Sequence, residues 1–91
     1  GFMRSIRTFE MFLSRFPKSS KTDDALICLI DRYRMLGNQA VLQNQLDITK
    51  KCYKRAMELC HDAWQNNKGA PYHKIIRQYA EEITKNSSQI Q

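Results

Sequence analysis

FMRSIRTFEMFLSRFP, residues 2–17, sets the fold class of this chain. Phe2, Ile6, Phe9, Phe12, Leu13 and Phe16 recur at steps of three and four, so a helix of 3.6 residues per turn carries them on one stripe. Arg4, Arg7 and Arg15 fall largely off it, and Pro17, which has no amide hydrogen to donate, ends the pattern. The spacing predicts a first helix over about 2–16, with Phe9 and Phe12 in the core.

Working outward, Lys18 to Thr22 reads as a short loop, with Thr22 as a cap and Asp23 and Asp24 as negative charge at the positive end of a second helix. That helix is expected over about 23–36 through Ala25, Leu26, Leu29, Ile30, Tyr33 and Leu36. Gly37 is suited to the left-handed conformation that follows many helix ends. Its centre is apolar on more than one side, which predicts neighbours on both faces. Residues 39–46 are compatible with a loop or with a loose helical extension. Asp47 is expected to cap a third helix over about 47–66, with Ile48, Cys52, Ala56, Cys60, Ala63 and Trp64 facing inward and Gly69 beyond its end. A fourth helix is expected over about 71–84, with Pro71 in its first turn and Tyr72, Ile75, Ile76, Tyr79, Ala80 and Ile83 on its stripe. The polar tail 85–91 should fray. No strand alternation is present, so the fold class is all-α and residues 1–91 form a single helical domain.

Composition narrows the partners. With 15 Lys and Arg against 9 Asp and Glu, the formal charge of +6 favours acidic partners: an acidic protein surface, nucleic acid or an anionic membrane face. The longest apolar run, Ala25 to Ile30, is far short of the roughly 20 residues that a membrane-spanning helix requires. The opening Gly-Phe-Met lacks an initiator and a leader, which is expected of an excised or processed chain, so the N-terminus assigns no compartment. Cys28, Cys52 and Cys60 cannot all pair within the chain, and eight helical positions would hold Cys52 and Cys60 about 12 Å apart. Their usage leans towards free, buried, slow-reacting thiols in a reducing compartment.

No catalytic, metal or cofactor group is expected. His61 and His73 fall in different helices without an adjoining nucleophile and acid. The eight-residue spacing of Cys52 and Cys60 is not that of a zinc ligand pair. Gly1, Gly37 and Gly69 are isolated, so there is no phosphate-cradling loop. The strongest functional cluster is Lys50, Lys51, Lys54 and Arg55 on one flank of the third helix, with Tyr53 among them. Two readings stand: a solvated face partly neutralised by Asp47 and Glu58, or a docking surface for phosphates or an acidic protein. Tyr53 is the one tyrosine off the aliphatic stripes, so it is the candidate for stacking on a base.

The run Phe9 to Ser19, closed by Pro17, resembles the end of a tetratricopeptide repeat, and Asp24-Ala25, Leu29, Tyr33 and Leu36-Gly37-Asn38 resemble the first helix of the next one. The phenylalanine-rich helix followed by a proline, a serine and an Asp-Ala start is similar to the repeats of outer-membrane β-barrel assembly lipoproteins of the BamD type. Tyr53 to Leu59 looks like the repeat's second helix but arrives about seven residues late, with His61 where a closing proline is expected. The resemblance implies about four antiparallel helices in tetratricopeptide-like pairs. It implies a non-enzymatic interaction scaffold, in a larger assembly such as that of the outer membrane at its periplasmic face, with a concave surface that includes Arg32 and Arg34. The charge supports a second reading, a basic subunit resembling pentatricopeptide pairs that binds RNA or an organellar ribonucleoprotein.

Overall fold

A computed structural model describes residues 2–66 and 70–90. Four helices follow in order, α1 (Phe2–Arg15), α2 (Thr22–Leu42), α3 (Leu46–Asn66) and α4 (Ala70–Ser88), and no strand occurs among the described residues. The fold is all-α.

The end of α1 follows the expectation from Pro17: the Phe16 amide makes the last helical bond, to the Phe12 carbonyl at 2.8 Å. The link to α2 is held from inside, by the Ser19 amide on the Phe16 carbonyl (3.2 Å) and the Thr22 amide on the Ser19 carbonyl (3.1 Å). Thr22 does not cap α2. It is the helix's first residue, and its hydroxyl donates back to the Phe16 carbonyl at 2.9 Å, while Lys21 occupies the cap position without a side-chain bond. Asp23 and Asp24 do lie in the first turn, where they oppose the helix dipole.

Helix α2 runs straight through Gly37 and ends five residues later, which corrects the expected stop at Leu36. Gly37 is buried and does not have a positive φ. Its lack of a side chain serves packing: a Cβ there would lie 2.5 Å from Tyr53 Cε1 and 3.4 Å from Cys52 Cβ, so α3 can approach only because the position is bare. The left-handed residue is Asn44, at φ 58°. Around it the Gln45 amide bonds the Ala40 carbonyl (2.8 Å) and the Asn44 amide bonds the Val41 carbonyl (3.0 Å), the paired bonds of a Schellman cap. Helix α3 then begins at Leu46, with the Thr49 amide on the Gln45 carbonyl, so Asp47 sits within the first turn rather than before it.

On α3 the buried residues are Thr49, Cys52, Tyr53, Ala56, Leu59, Cys60 and Ala63. Cys52, Ala56, Cys60 and Ala63 are buried as expected, and Thr49, Tyr53 and Leu59 join them, whereas Ile48 and Trp64, expected inward, lie at the two edges of that face and are exposed at 43% and 39%. Helix α4 buries Ile76 and Ile83 and continues to Ser88, beyond the predicted end at 84. Beyond residue 84, Asn86 donates to Asn38 Oδ1 at 3.3 Å and Ile90 packs against the Tyr53, Ala56 and Ile83 cluster. The expected Gly69 stop lies outside the described residues.

The main core joins Ile6, Leu29, Ile30, Leu59, Cys60, Ala63 and Ile76. Phe9 and Phe12, expected to be core, are only half-buried, and Phe16 is 53% exposed, because α1 packs on α2 alone and keeps one flank of its stripe open. By contrast α2 touches all three other helices, as its two apolar sides predict. Three bonds tie it to α4: Tyr72 to Asp24, Arg34 to Glu82 and Asn86 to Asn38, each spanning 48 positions. A constant offset means that α2 and α4 run side by side in the same direction. The Cα envelope measures 38 × 27 × 15 Å, and its short dimension is the depth of two helix layers about 8–10 Å apart.

Candidate functional site

The short turn at Asn44 and the bare Gly37 draw α3 tightly onto α2, and this decides which residues of the basic cluster reach solvent. Lys50, Lys51 and Lys54 are exposed. Arg55 is half-covered, with its Nη2 3.8 Å from Glu10 Oε2. Tyr53 is not part of the surface: it is 3% exposed, its ring lies over Gly37, and its hydroxyl donates to Asn38 Oδ1. The stacking role considered for it needs an open ring face, which burial removes. Burial also pushes its phenol pKa up.

Arg32 and Arg34 are drawn into ion pairs. Arg32 donates to Asp31 Oδ2 at 2.9 Å. Arg34 donates to Asp31 Oδ1 at 2.6 Å and to Glu82 Oε2 at 2.7 Å, and its guanidinium lies 5.2 Å from the Tyr79 ring centre. Burial disfavours the Arg34 charge, but the bonds to Asp31 and Glu82 outweigh it and the pKa rises. Its Nε is buried without a hydrogen-bond partner among the described residues. Arg34 therefore clamps α2 to α4 rather than offering a free cation.

Glu10 is a connecting residue that sequence reasoning passed over. It accepts the Tyr33 hydroxyl at 2.9 Å and faces Arg55, so one carboxylate links α1 with α2 and α3. The Tyr33 phenol is pushed up, by burial first and then by the bond to Glu10. These partners lie 23 and 45 positions away, beyond any local pattern.

With Tyr53 and Arg34 withdrawn, what remains open is a groove of about 380 Å³ between α3 and α4. Lys50 and Lys54 stand on its α3 rim, Thr84, Ser87 and Ser88 on its α4 rim, and Met57 and Ile83 beneath. Lys51, Arg32, Arg34 and Arg55 are not among its lining residues, so the structure brings together only two of the expected cations. Two further hollows lie elsewhere on the surface. One, between α1 and α2, is lined by Phe9, Phe12 and Cys28; the other holds Trp64, which stacks on His73 at 3.9 Å with a 13° tilt, beside Arg77.

Among the described residues no three His, Cys, Asp or Glu side chains converge as a metal site, and no helix is long and apolar enough to cross a membrane. Cys52 and Cys60 are buried and Cys28 is half-buried on a hollow, which departs from the expectation that all three thiols are shielded. Burial raises the Cys52 pKa and pushes that of Cys60 to about 11. A thiol reagent at pH 8 is therefore expected to label Cys28 first, with Cys60 slower by at least about tenfold, since the thiolate is the reactive form. Uniform rapid labelling, read by intact-mass spectrometry, would contradict this packing. No family model, curated protein or solved structure matches the chain.

The same shift makes alkaline pH a probe of the core. The folded pKa of Cys60 lies above its ordinary 9.0, so its stabilising contribution is complete below pH 9 and lost as pH rises through about 11. Tyr33, Tyr53 and Tyr79 act in the same direction above their ordinary 10.0. The melting temperature is expected to fall between pH 9 and 11, less steeply in Cys60→Ala. An unchanged slope in that variant would remove Cys60 from the account.

Proposed function

We propose that this chain is a non-enzymatic helical scaffold, a tetratricopeptide-like unit that binds another protein within a larger assembly. The observation that supports the reading most directly is the constant 48-position offset between α2 and α4, with α3 packed against both. Side-by-side helices of equal direction, each followed or preceded by a partner in a second layer, are what stacked helical pairs produce. The 48-position step is longer than the roughly 34 of a tetratricopeptide repeat, because α2 and α3 each reach 21 residues.

The placement of the histidines favours binding over catalysis. His61 Nε2 lies 3.2 Å from Gln65 Nε2, and His73 stacks on Trp64 with its Nε2 3.2 Å from the Trp64 carbonyl, contacts that belong to helix packing. A protein partner is favoured over RNA because Tyr53, the aromatic next to the cations, is buried.

Capture with the purified chain from its native source, followed by mass spectrometry and sedimentation of the reconstituted pair, tests the proposal. A discrete protein partner in simple stoichiometry is the expected result. Recovery of nucleic acid alone, or of no stoichiometric partner, would overturn it.

A further inference from the structure

We infer that the α3–α4 groove receives an acidic peptide segment of the partner, one with two carboxylates about 6 Å apart and an apolar side chain between them; this rests on the scaffold reading above. Lys50 and Lys54 are exposed, one helical turn apart on the same rim. Neither has an ion-pair partner among the described residues, whereas Arg32, Arg34 and Arg55 all do. Lys50 and Lys54 therefore sit together as unpaired cations in a chain of net charge +6, over an apolar floor of Met57 and Ile83.

Charge and shape together specify the occupant. Four helical positions place the two lysine stems about 6 Å apart. Carboxylates at alternate residues of an extended peptide lie about 6.6 Å apart on one side, which matches that spacing and turns the intervening residue away from the rim. Across the groove, Thr84, Ser87 and Ser88 recur at steps of three and one, so hydroxyls face the other edge of the peptide. Ser88 already donates to the Lys85 carbonyl at 2.7 Å, which leaves its oxygen as an acceptor for a peptide amide. Single-stranded RNA fits less well, since the one aromatic in the groove wall, Tyr53, is only 3% exposed and the lining holds only two cations.

The probe is a fluorescein-labelled peptide of repeating Asp-Leu-Glu-Leu, read by fluorescence anisotropy against its Asn-Leu-Gln-Leu counterpart and labelled oligouridylate. Two double variants each remove two positive charges: Lys50→Gln with Lys54→Gln inside the groove, and Lys51→Gln with Lys74→Gln outside it. All four positions are exposed, and circular dichroism confirms the fold. The groove pair is expected to weaken acidic-peptide binding about tenfold, and the outer pair by less than about twofold. Equal losses in both variants, tighter binding of oligouridylate, or no saturable binding of the acidic peptide overturns the inference. The captured partner separates this inference from the scaffold reading. Unchanged affinity of that partner for the groove variant removes the groove and keeps the scaffold, whereas failure to capture any partner removes the scaffold.

Discussion

Ile30→Ala is expected to lower the unfolding free energy by about 3–4 kcal/mol, the upper part of the range for large-to-small changes in a core that cannot collapse. Ile30 is 0% exposed and sits in the cluster with Leu29, Leu59 and Ile76, on the helix that packs against the other three. A chain of this length has roughly 5–13 kcal/mol of stability in all, so one side chain carries a large share of it. Thermal and urea melts followed by circular dichroism measure the loss. Phe12→Ala is expected to cost less, because Phe12, placed in the core by its spacing, is half-buried beside an open hollow. A greater loss from Phe12→Ala than from Ile30→Ala would mean that α1, not α2, holds the core.

Gly37→Leu is expected to cost about 3 kcal/mol or more, and Gly37→Ala already fixes the sign. Judged by helix propensity alone, alanine in the middle of α2 should stabilise by about 1 kcal/mol. The new Cβ, however, would meet the Tyr53 ring at 2.5 Å and 2.7 Å, and overpacking a dense interior typically costs about 1–3 kcal/mol. The ring cannot swing away without breaking its hydroxyl bond to Asn38 and exposing the Tyr53, Ala56 and Ile83 cluster. Destabilisation by Gly37→Ala, reduced when Tyr53→Leu is added, is the expected pattern. A stabilised Gly37→Ala variant would show that α3 can retreat from α2 at little cost.

Gly37 also shows where sequence reading stopped. The four helices were legible because their apolar residues recur at helical steps, and the end of α1 because proline has one local meaning. Glycine has two, a left-handed stop or a close approach, and only Tyr53 from another helix decides between them. The true stop carried a signal of its own in Asn44, the residue type that most readily replaces glycine at a left-handed position. The edges of the inward face of α3 were not legible, since Tyr53 and Trp64 stand 11 positions and only about 20° apart around the helix yet one is buried and the other exposed. In the candidate site, Lys50 and Lys54 could be named from spacing. Their partners Thr84, Ser87 and Ser88 could not, because the 48-position register that aligns α4 with α2 is set by tertiary bonds.

The central position of α2 imposes an order on how the molecule comes apart. Detaching α1 strips one side of α2 but leaves the α2–α3–α4 contacts in place, and detaching α4 likewise leaves α1, α2 and α3 joined. Loosening α2 breaks all the backbone packing that α1 has, leaving it only the Glu10–Arg55 pair, and most of the packing that α3 has. Local openings are therefore least costly at the two outer helices and approach the global unfolding cost at the middle one. Since α4 supplies one wall of the α3–α4 groove, the lowest-cost breathing motion at that end of the molecule is also the one that widens the groove. The Arg34–Glu82 pair then acts as a latch on that motion, reached from solvent through the exposed Glu82 carboxylate.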